Sequence, residues 1–220
     1  MAAVPLSPAD RRAQILEVAV RMLESESFDE LSMDRVAAEA GVSPPLLFHY
    51  FKNKQGFRNA VLEASAEALQ RRMTPDPTLP TSAQLRAGVE TFLDAVVAHP
   101  TSYVAVMRLA GSGDEGMRRI YRGMRRTFTG WIVRSLAELG LPTTPAVDAA
   151  VQGWQAFMEE VVLSWLDEPT MERGEVIDLC ERAFYHLLPA AGLDVEQIAR
   201  ALASTQAEGL TRPPQGRFIR

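Results

Sequence analysis

Residues 40–62 combine basic and aromatic side chains and include no acidic residue. Lys52, Lys54 and Arg58 provide positive charge, and they follow or adjoin the aromatic run FHYF at 48–51. Positive charges beside exposed rings suit the phosphates and base edges of a nucleic-acid duplex. The stretch therefore favours nucleic-acid binding, with ordinary solvated surface charge as the alternative.

Residue types that perform catalysis are present but scattered. His49, His99 and His186 are far apart in the sequence, and Cys180 lies in an apolar helical stripe, which favours a buried and inert thiol. The sequence has no glycine-rich phosphate loop, nucleophile elbow, HExxH motif or cluster of metal ligands. We therefore expect no enzyme activity, no cofactor and no metal.

Two short helices joined by a turn are expected to position the aromatic and basic residues. Ser32 is a suitable N-cap for the first of them, and Gly41 provides a turn that a residue with a Cβ resists. Ser43 is expected to cap the next helix, which begins with Pro44–Pro45, because proline's missing N–H is harmless in a first turn. These proportions predict a helix-turn-helix at about 31–50.

Helical periodicity dominates the rest of the chain, so the predicted fold class is all-α. Ser7 is expected to cap a first helix at 8–26. Arg11 and Arg12 of that helix could add a phosphate contact. A fourth helix is expected at 54–72. The three prolines within 74–82 predict a boundary between a domain at 1–70 and one at 71–207, before a mobile tail at 208–220. Further helices are expected near 82–98, 101–110, 115–139, 145–167, 172–188 and 194–207.

Bulk composition narrows the class of protein. The 220 residues are 47% apolar, which is enough to bury a core in one or two domains. The net charge of -5 argues against a nucleic-acid binder with a generally basic surface, but it does not exclude a local basic patch. A single cysteine permits no internal disulfide, which fits a reducing compartment. No segment has 18 uninterrupted apolar residues, so a membrane-spanning helix is not expected. We therefore expect a cytoplasmic protein.

Residues 28–62 contain a specific combination of motifs. Phe28 and Leu31 precede Ser32, the block VAAEAGVS follows, and LFHYFKNK then leads to an apolar residue at Phe57. This combination resembles the N-terminal domain of the tetracycline-repressor (TetR) family of transcriptional regulators. The resemblance is sharp over about 10–65, and beyond that it rests on length, helical pattern and the proline boundary.

The resemblance implies a mechanism and a set of DNA contacts. The third helix would enter the major groove, and each protomer of a homodimer would bind one half of a near-palindromic operator. In the implied complex, the start of the second helix would lie near the edge of the groove. The third helix would face bases and sugars, and its C-terminal end would face phosphates. The candidate DNA-binding residues are Ser32, Met33, Ser43, Pro44, Pro45, Phe48, His49, Tyr50, Lys52 and Lys54.

Two positions depart from the family pattern. The family commonly has tyrosine at the position of Phe48. Phenylalanine has no hydroxyl group, so a hydrogen bond to phosphate is missing here. Asp34 occupies a second-helix position that can carry a base-contacting arginine. Direct readout would then depend on few hydrogen-bonding groups, with Leu46 or Phe48 touching thymine methyl groups.

Two helical segments predict a dimer interface. A helix that is apolar on nearly all sides must be buried on two of them, and the segments at 145–167 and 172–188 have this character. In the TetR family the last two long helices usually pair with those of the dimer mate, whereas the alternative is the core of a monomeric bundle. The candidate interface residues are Ala149, Gly153, Ala156, Val176, Leu179, Cys180, Ala183 and Leu187.

The resemblance also implies a small-molecule effector, largely apolar, that binds inside the C-terminal domain and releases a repressor from DNA. Large apolar groups with a few polar tips are typical of such cavities, although each one alone is more often a core residue. Glu159 and Glu160, in the same region, are candidate polar anchors, although a solvated edge is the favoured interpretation for both. The candidate pocket residues are Phe92, His99, Tyr103, Met107, Tyr121, Phe128, Trp131, Trp154, Phe157 and Met158.

Other classes of function remain open at this point. A helical module that binds protein without DNA is the main alternative, and the acid-free basic stretch argues against it. An activator, or a regulator without a ligand, would share the same fold. The sequence does not identify the effector, the operator or the regulated genes.

Overall fold

A computed structural model describes residues 6–23, 26, 30–98, 100, 103 and 115–211. Over these ranges the chain forms α-helices and no β-strand, which confirms the all-α prediction. The helix expected at 101–110 lies outside the described residues, apart from position 103. None of the described helices is both long enough and apolar enough to cross a membrane.

Nine helices are described in chain order. The first four are α1 (Pro8–Met22), α2 (Met33–Glu39), α3 (Pro44–Phe51) and α4 (Lys54–Met73). They are followed by α5 (Thr81–Ala98), α6 (Glu115–Glu138), α7 (Pro145–Asp167), α8 (Arg173–Ala190) and α9 (Val195–Thr211). The last helix extends into the segment that was predicted to be a tail.

Side-chain caps fix several of the helix starts. The Ser7 hydroxyl accepts a hydrogen bond from the Asp10 N–H at 3.2 Å, as the sequence predicts for α1. Thr144 caps α7 in the same way. At α8 the Glu172 N–H donates to the Glu175 carboxylate at 2.8 Å, one half of a capping box.

The chain divides into two compact units. The first comprises residues 1–72 and 95–124, and the second comprises residues 73–94 and 125–220, so α5 and α6 each contribute to both. The core of the first unit gathers apolar side chains from α1 to α4, and Ile120 of α6 packs against it. Its most deeply buried members are Ile15, Ala19, Val36, Ala37, Leu47 and Val61.

In the second unit, α7 and α8 pack together along a shared apolar core. The Trp154 indole N–H donates to the Cys180 carbonyl oxygen at 2.8 Å, and its ring meets Phe184 edge-on with centroids 5.1 Å apart. This contact satisfies the only polar atom of a buried indole. Burial raises the pKa of the Cys180 thiol to about 11, so the thiol is inert, as its sequence position predicts.

Ion pairs attach α5 to α8 at the surface of the second unit. The Arg86 guanidinium lies 2.7 Å from the carboxylates of Asp178 and of Glu181, and these partners raise the pKa of Arg86. Farther along, Arg173 pairs with Asp94 at 2.5 Å. All of these side chains are at least partly exposed, so each pair contributes at most about 1 kcal/mol.

A polar ladder, defined as Arg125 and Thr129 of α6 with Gln155 and Glu159 of α7, joins these two helices. The Gln155 amide donates to the Thr129 hydroxyl at 2.8 Å, and Arg125 lies 3.7 Å from the Glu159 carboxylate. Arg125 also donates to the Gln152 carbonyl oxygen. Glu159 is only 8% exposed, so the expectation of a solvated edge is wrong for this residue, whereas Glu160 is exposed.

Candidate nucleic-acid interface

The start of α2 is fixed by Ser32, which has extended backbone geometry. Its hydroxyl accepts a hydrogen bond from the Arg35 N–H at 3.2 Å, so the predicted cap is confirmed. The Arg35 side chain turns away to pair with Glu26 and to reach the Glu30 carbonyl oxygen. Asp34, beside it, is exposed. The ion pair of Arg35 was not foreseen, because Glu26 precedes the helix by several residues.

The turn between α2 and α3 depends on a left-handed residue. Gly41 has φ +65°, a conformation that side chains with a Cβ rarely adopt. The Val42 N–H then returns to the Ala37 carbonyl oxygen at 2.9 Å, which closes the turn. The turn thus brings α3 across α2 in a helix-turn-helix, as the sequence predicts.

The start of α3 differs from expectation at Ser43. This residue occupies the N-cap position, but its side chain makes no capping hydrogen bond. Pro44 and Pro45 have no N–H to offer, and the Leu46 N–H bonds to the Ser43 carbonyl oxygen at 3.0 Å instead. The exposed Ser43 hydroxyl is therefore not used by the helix start.

The two sides of α3 differ sharply in exposure. Leu47 and Phe51 are buried beneath the helix, at 0% and 4% exposure, as the sequence predicts. On the other side Pro44, Pro45, Phe48 and His49 are exposed, and Phe48 keeps 47% of its surface free. Tyr50 is half-buried and meets the His49 ring edge-on at 5.7 Å. An exposed aromatic of this size is unusual on a purely solvated face.

A sharp corner joins α3 to α4 and carries the basic residues. Lys52 adopts φ 64°, the left-handed region, and Asn53 accepts a hydrogen bond from the Gly56 N–H at 2.7 Å. A Cβ at Gly56 would collide with the Phe51 carbonyl oxygen, so this corner requires glycine. Sequence inspection missed the Asn53 cap, although an asparagine just before a helix is a recognisable signal.

The corner exposes its positive charge. Lys52 and Lys54 are exposed, and Arg58 is half-buried one turn further along α4. Arg12 of α1 lies over the Phe51 ring at 5.3 Å, which brings a further cation to this side of the unit. Together with the N-terminal N–H groups of α4, these groups can bind phosphate oxygens.

Comparison with known proteins agrees with this geometry. A family model described as bacterial regulatory proteins, tetR family, matches residues 15–61, and one described as the tetracyclin repressor-like C-terminal domain matches residues 81–187. The transcriptional regulator EthR of Mycolicibacterium smegmatis is 30% identical over 153 residues, covering 64% of this chain and 68% of EthR. The chain belongs to the TetR family.

Further relatives extend the match. A TetR-family regulator of known structure from Streptomyces coelicolor superposes with a TM-score of 0.72 at 26% identity, covering 97% of this chain and 94% of that one. The transcriptional activator FasR of Mycolicibacterium smegmatis is 33% identical over 89 residues, 40% of this chain and 41% of FasR. This TetR-family chain is thus a transcriptional regulator that binds DNA through its helix-turn-helix. The family is not a class of enzymes.

One candidate DNA contact of this TetR-family regulator is misplaced. Met33 was expected at the groove edge, but its side chain is 8% exposed and belongs to the core of the first unit. Ser32 precedes α2 as its cap, whereas Met33 is the first residue of the helix and is buried. The remaining candidates, from Ser32 to Lys54, are all at least partly exposed.

The candidate pocket residues lie in different environments. Phe92, Trp154 and Met158 are buried in the second unit, and Phe128 and Trp131 are half-buried with ring centroids 5.3 Å apart. Phe157 is 38% exposed, and its place in a pocket stays a prediction. Tyr103 and Tyr121 are half-buried in the first unit, and His99 and Met107 lie outside the described residues.

The candidate interface residues also separate into two groups. Val176 and Cys180 are 0% exposed within one chain, so they are core residues and cannot meet a partner. Leu179, Ala183 and Leu187 of α8 are half-buried. The exposed members are the small residues of α7, with Phe157 beside them: Ala149, Gly153 and Ala156.

Proposed function

We propose that the protein is a homodimeric repressor that binds a near-palindromic operator through α3 and is released by a small-molecule effector. The observation that carries this proposal is the exposed face of α3 beside an acid-free, basic corner. A short helix with one buried and one exposed side is what a major groove about 12 Å wide admits. The alternative of a module that binds only protein is set aside by the family membership.

The exposed side of α3 supports a division of labour among its residues. Pro44, Pro45 and Phe48 offer apolar surface for thymine methyl groups, and His49 offers a hydrogen-bonding group for a base edge. Lys52 and Lys54 carry charge at the helix end, where phosphates would lie. Specificity would therefore depend on few hydrogen bonds and more on apolar contact.

An exposed small-residue face on α7 supports homodimerisation. Ala149, Gly153 and Ala156 recur at helical spacing, and a neighbouring Phe157 leaves 38% of its surface free. Small residues allow two helices to approach closely, and an exposed phenylalanine gains stability when a partner covers it. Leu179, half-buried on α8, would add to the same contact.

The interior of the second unit supports a response to an effector. Phe128, Trp131 and Met158 supply apolar surface near the polar ladder of α6 and α7. Effector sites combine apolar walls with a few polar groups in this way. An effector that binds better to the form unable to bind DNA would shift the population toward it, and the coupling is reciprocal.

The direction of regulation is part of the proposal. The name of FasR describes an activator, so similarity within the family does not fix the sign. A repressor requires only that the operator overlap the promoter. Transcription from an operator-bearing template in vitro tests this: added protein should reduce transcript, and an increase would reverse the assignment.

Selection of bound fragments tests the operator. Purified protein is mixed with sheared DNA from the source organism near physiological salt, and the bound fragments are sequenced. Enrichment of a few sites with a two-fold symmetric motif is expected. Recovery at background from both native protein and refolded, ligand-stripped protein would overturn the proposal.

Two variants separate the roles on α3 and the corner. Lys54→Ala should weaken binding to all duplexes and reduce the slope of log K against log salt by about one unit. His49→Ala should instead change the preference among operator variants with the slope intact. Binding of Lys54→Ala with unchanged affinity and slope would show that this corner does not meet phosphate.

A further inference from the structure

The helix α6 carries an unusual run of charge. Residues 116–137 contain six arginines and no acidic residue, in a protein whose net charge is -5. Four of these arginines form the arginine face, defined as Arg119, Arg122, Arg126 and Arg134. At 3.6 residues per turn they lie within about 120° of one another around the helix and span about 22 Å along it.

The arginine face is exposed, and its side chains stay unpaired within the part of the chain that the structure describes. All four side chains are exposed, and none forms an ion pair with a residue in the described ranges. The two other arginines of the run are paired, Arg118 with Glu115 and Arg125 with Glu159. Like charges three or four residues apart on a helix repel each other, which disfavours this arrangement unless an anion meets it.

The surroundings of the face narrow the kind of partner. None of the large exposed apolar side chains of the described residues lies on α6. A membrane-surface helix requires an apolar side, and protein interfaces depend on buried apolar or aromatic anchors. A surface with four exposed guanidinium groups and no large exposed apolar side chain suits a partner of high charge density that is bound through charge.

Duplex DNA has that character, with one charge for about every 1.7 Å of its axis. This chain is already a DNA-binding regulator, so duplex DNA is a polyanion that it encounters. Arg119 and Arg122 belong to the same compact unit as the helix-turn-helix. Ile120, which lies between them in the sequence, packs against the core of that unit.

We propose that the arginine face is a second DNA-contacting surface, which binds the sugar–phosphate backbone without sequence preference. It is separate from the helix-turn-helix, on which the operator proposal depends. Guanidinium groups bind phosphate oxygens, and they discriminate little when no base edge is involved. The face thus adds affinity for DNA in general and none for the operator in particular.

The test uses full-length protein in which all four arginines are changed to glutamine, a residue of similar helix propensity. A matched control changes four exposed arginines elsewhere, Arg71, Arg72, Arg182 and Arg200. Fluorescence anisotropy then measures binding to an operator duplex and to a scrambled duplex over a salt series. Thermal melting by circular dichroism verifies that each variant is folded.

The face variant should lose about three to four units of salt slope on both duplexes, because each lost phosphate contact removes about 0.9. The ratio of operator to scrambled affinity should stay unchanged, and Arg→Lys at all four positions should restore the slope. Equal slopes in the face variant and the matched control would overturn the proposal. Lys54→Ala tests the helix-turn-helix independently, so the two proposals can fail separately.

If the fourfold variant melted early, the double variant Arg119→Gln with Arg122→Gln would take its place. Its matched control is Arg182→Gln with Arg200→Gln, which removes the same charge from α8 and α9. A slope reduced by about two units in the first and not in the second supports the proposal. The same slope in both contradicts it.

Discussion

Lys52 combines two properties that a substitution can separate. Its left-handed backbone, φ 64°, is unfavourable for a residue with a Cβ, and its side chain places a charge at the α3–α4 corner. Strain of this kind is often retained where function benefits from it. The residue therefore links local backbone geometry to the proposed phosphate contact.

Lys52→Gly should raise the stability of the fold while weakening DNA binding. Glycine adopts this conformation freely, and relief of the strain is worth about 1 kcal/mol, partly offset by the greater freedom of glycine in the unfolded chain. Loss of the charge should lower the salt slope by about one unit. Urea denaturation and anisotropy measure the two effects, with Lys52→Arg as the control that keeps both charge and strain. A glycine variant with unchanged DNA affinity would remove Lys52 from the interface.

Gly56→Ala should destabilise the first unit by about 1–3 kcal/mol, because the new Cβ would collide with the Phe51 carbonyl oxygen and force the corner open. Gly88→Ala is the matched control: a Cβ at that helical glycine meets nothing within 4 Å. Alanine there should stabilise by up to about 1 kcal/mol. Denaturation curves compare them, and equal effects at both positions would show that the corner tolerates a side chain.

At the scale of the elements, the polar ladder specifies how α6 meets α7. Thr129 and Gln155 are 4% and 3% exposed, and each supplies the other's hydrogen-bond partner. A buried polar group without a partner is costly, so this pair disfavours any register that separates the two residues. The ladder is thus a device for registry as well as a candidate polar wall for an effector.

Thr129→Val should lower the free energy of unfolding by about 1–3 kcal/mol, because it leaves the Gln155 amide donor unpaired. The double variant Thr129→Val with Gln155→Leu should recover much of that loss, since neither polar group remains. A double-mutant cycle from chemical denaturation measures the coupling. Additive losses in the double variant would mean that the hydrogen bond contributes nothing specific.

The sequence predicts where helices begin and end better than it predicts which side chains other helices bury. The starts of α1 and α2 follow from the capping residues Ser7 and Ser32, and these signals are local. The burial of Glu159 depends on Arg125 of another helix, and that of Met33 on how α2 packs, so neither follows from helical periodicity. Phe157 shows the same limit: the periodic pattern marks it as apolar but does not say which partner covers it.

At the scale of the whole molecule, the exposed face of α7 is the contact proposed to join two copies. Ala156 belongs to this face, one turn from Gly153 and beside Phe157. These residues are exposed in one chain, although they are small or apolar. Their burial would require a second copy, and a symmetric operator requires the same arrangement.

Ala156→Arg should convert a dimer into a monomer, because a close helix contact cannot accommodate a buried, unpaired charge. Operator affinity should fall with it, since each half-site would be bound independently. Sedimentation analysis measures the mass, with Ala199→Arg at an exposed position of α9 as the control. If the first variant sedimented as the native protein does, the interface would have to lie elsewhere.

The burial of Cys180 has a practical consequence for fluorescence labelling. The chain has one cysteine, and this thiol is fully covered. A cysteine introduced at an exposed position such as Asp34 would therefore be the one thiol that a maleimide dye reaches. Each copy would then carry a single fluorophore at a chosen place, so energy transfer between labelled copies could report the separation of their DNA-contacting helices without any change to the native cysteine.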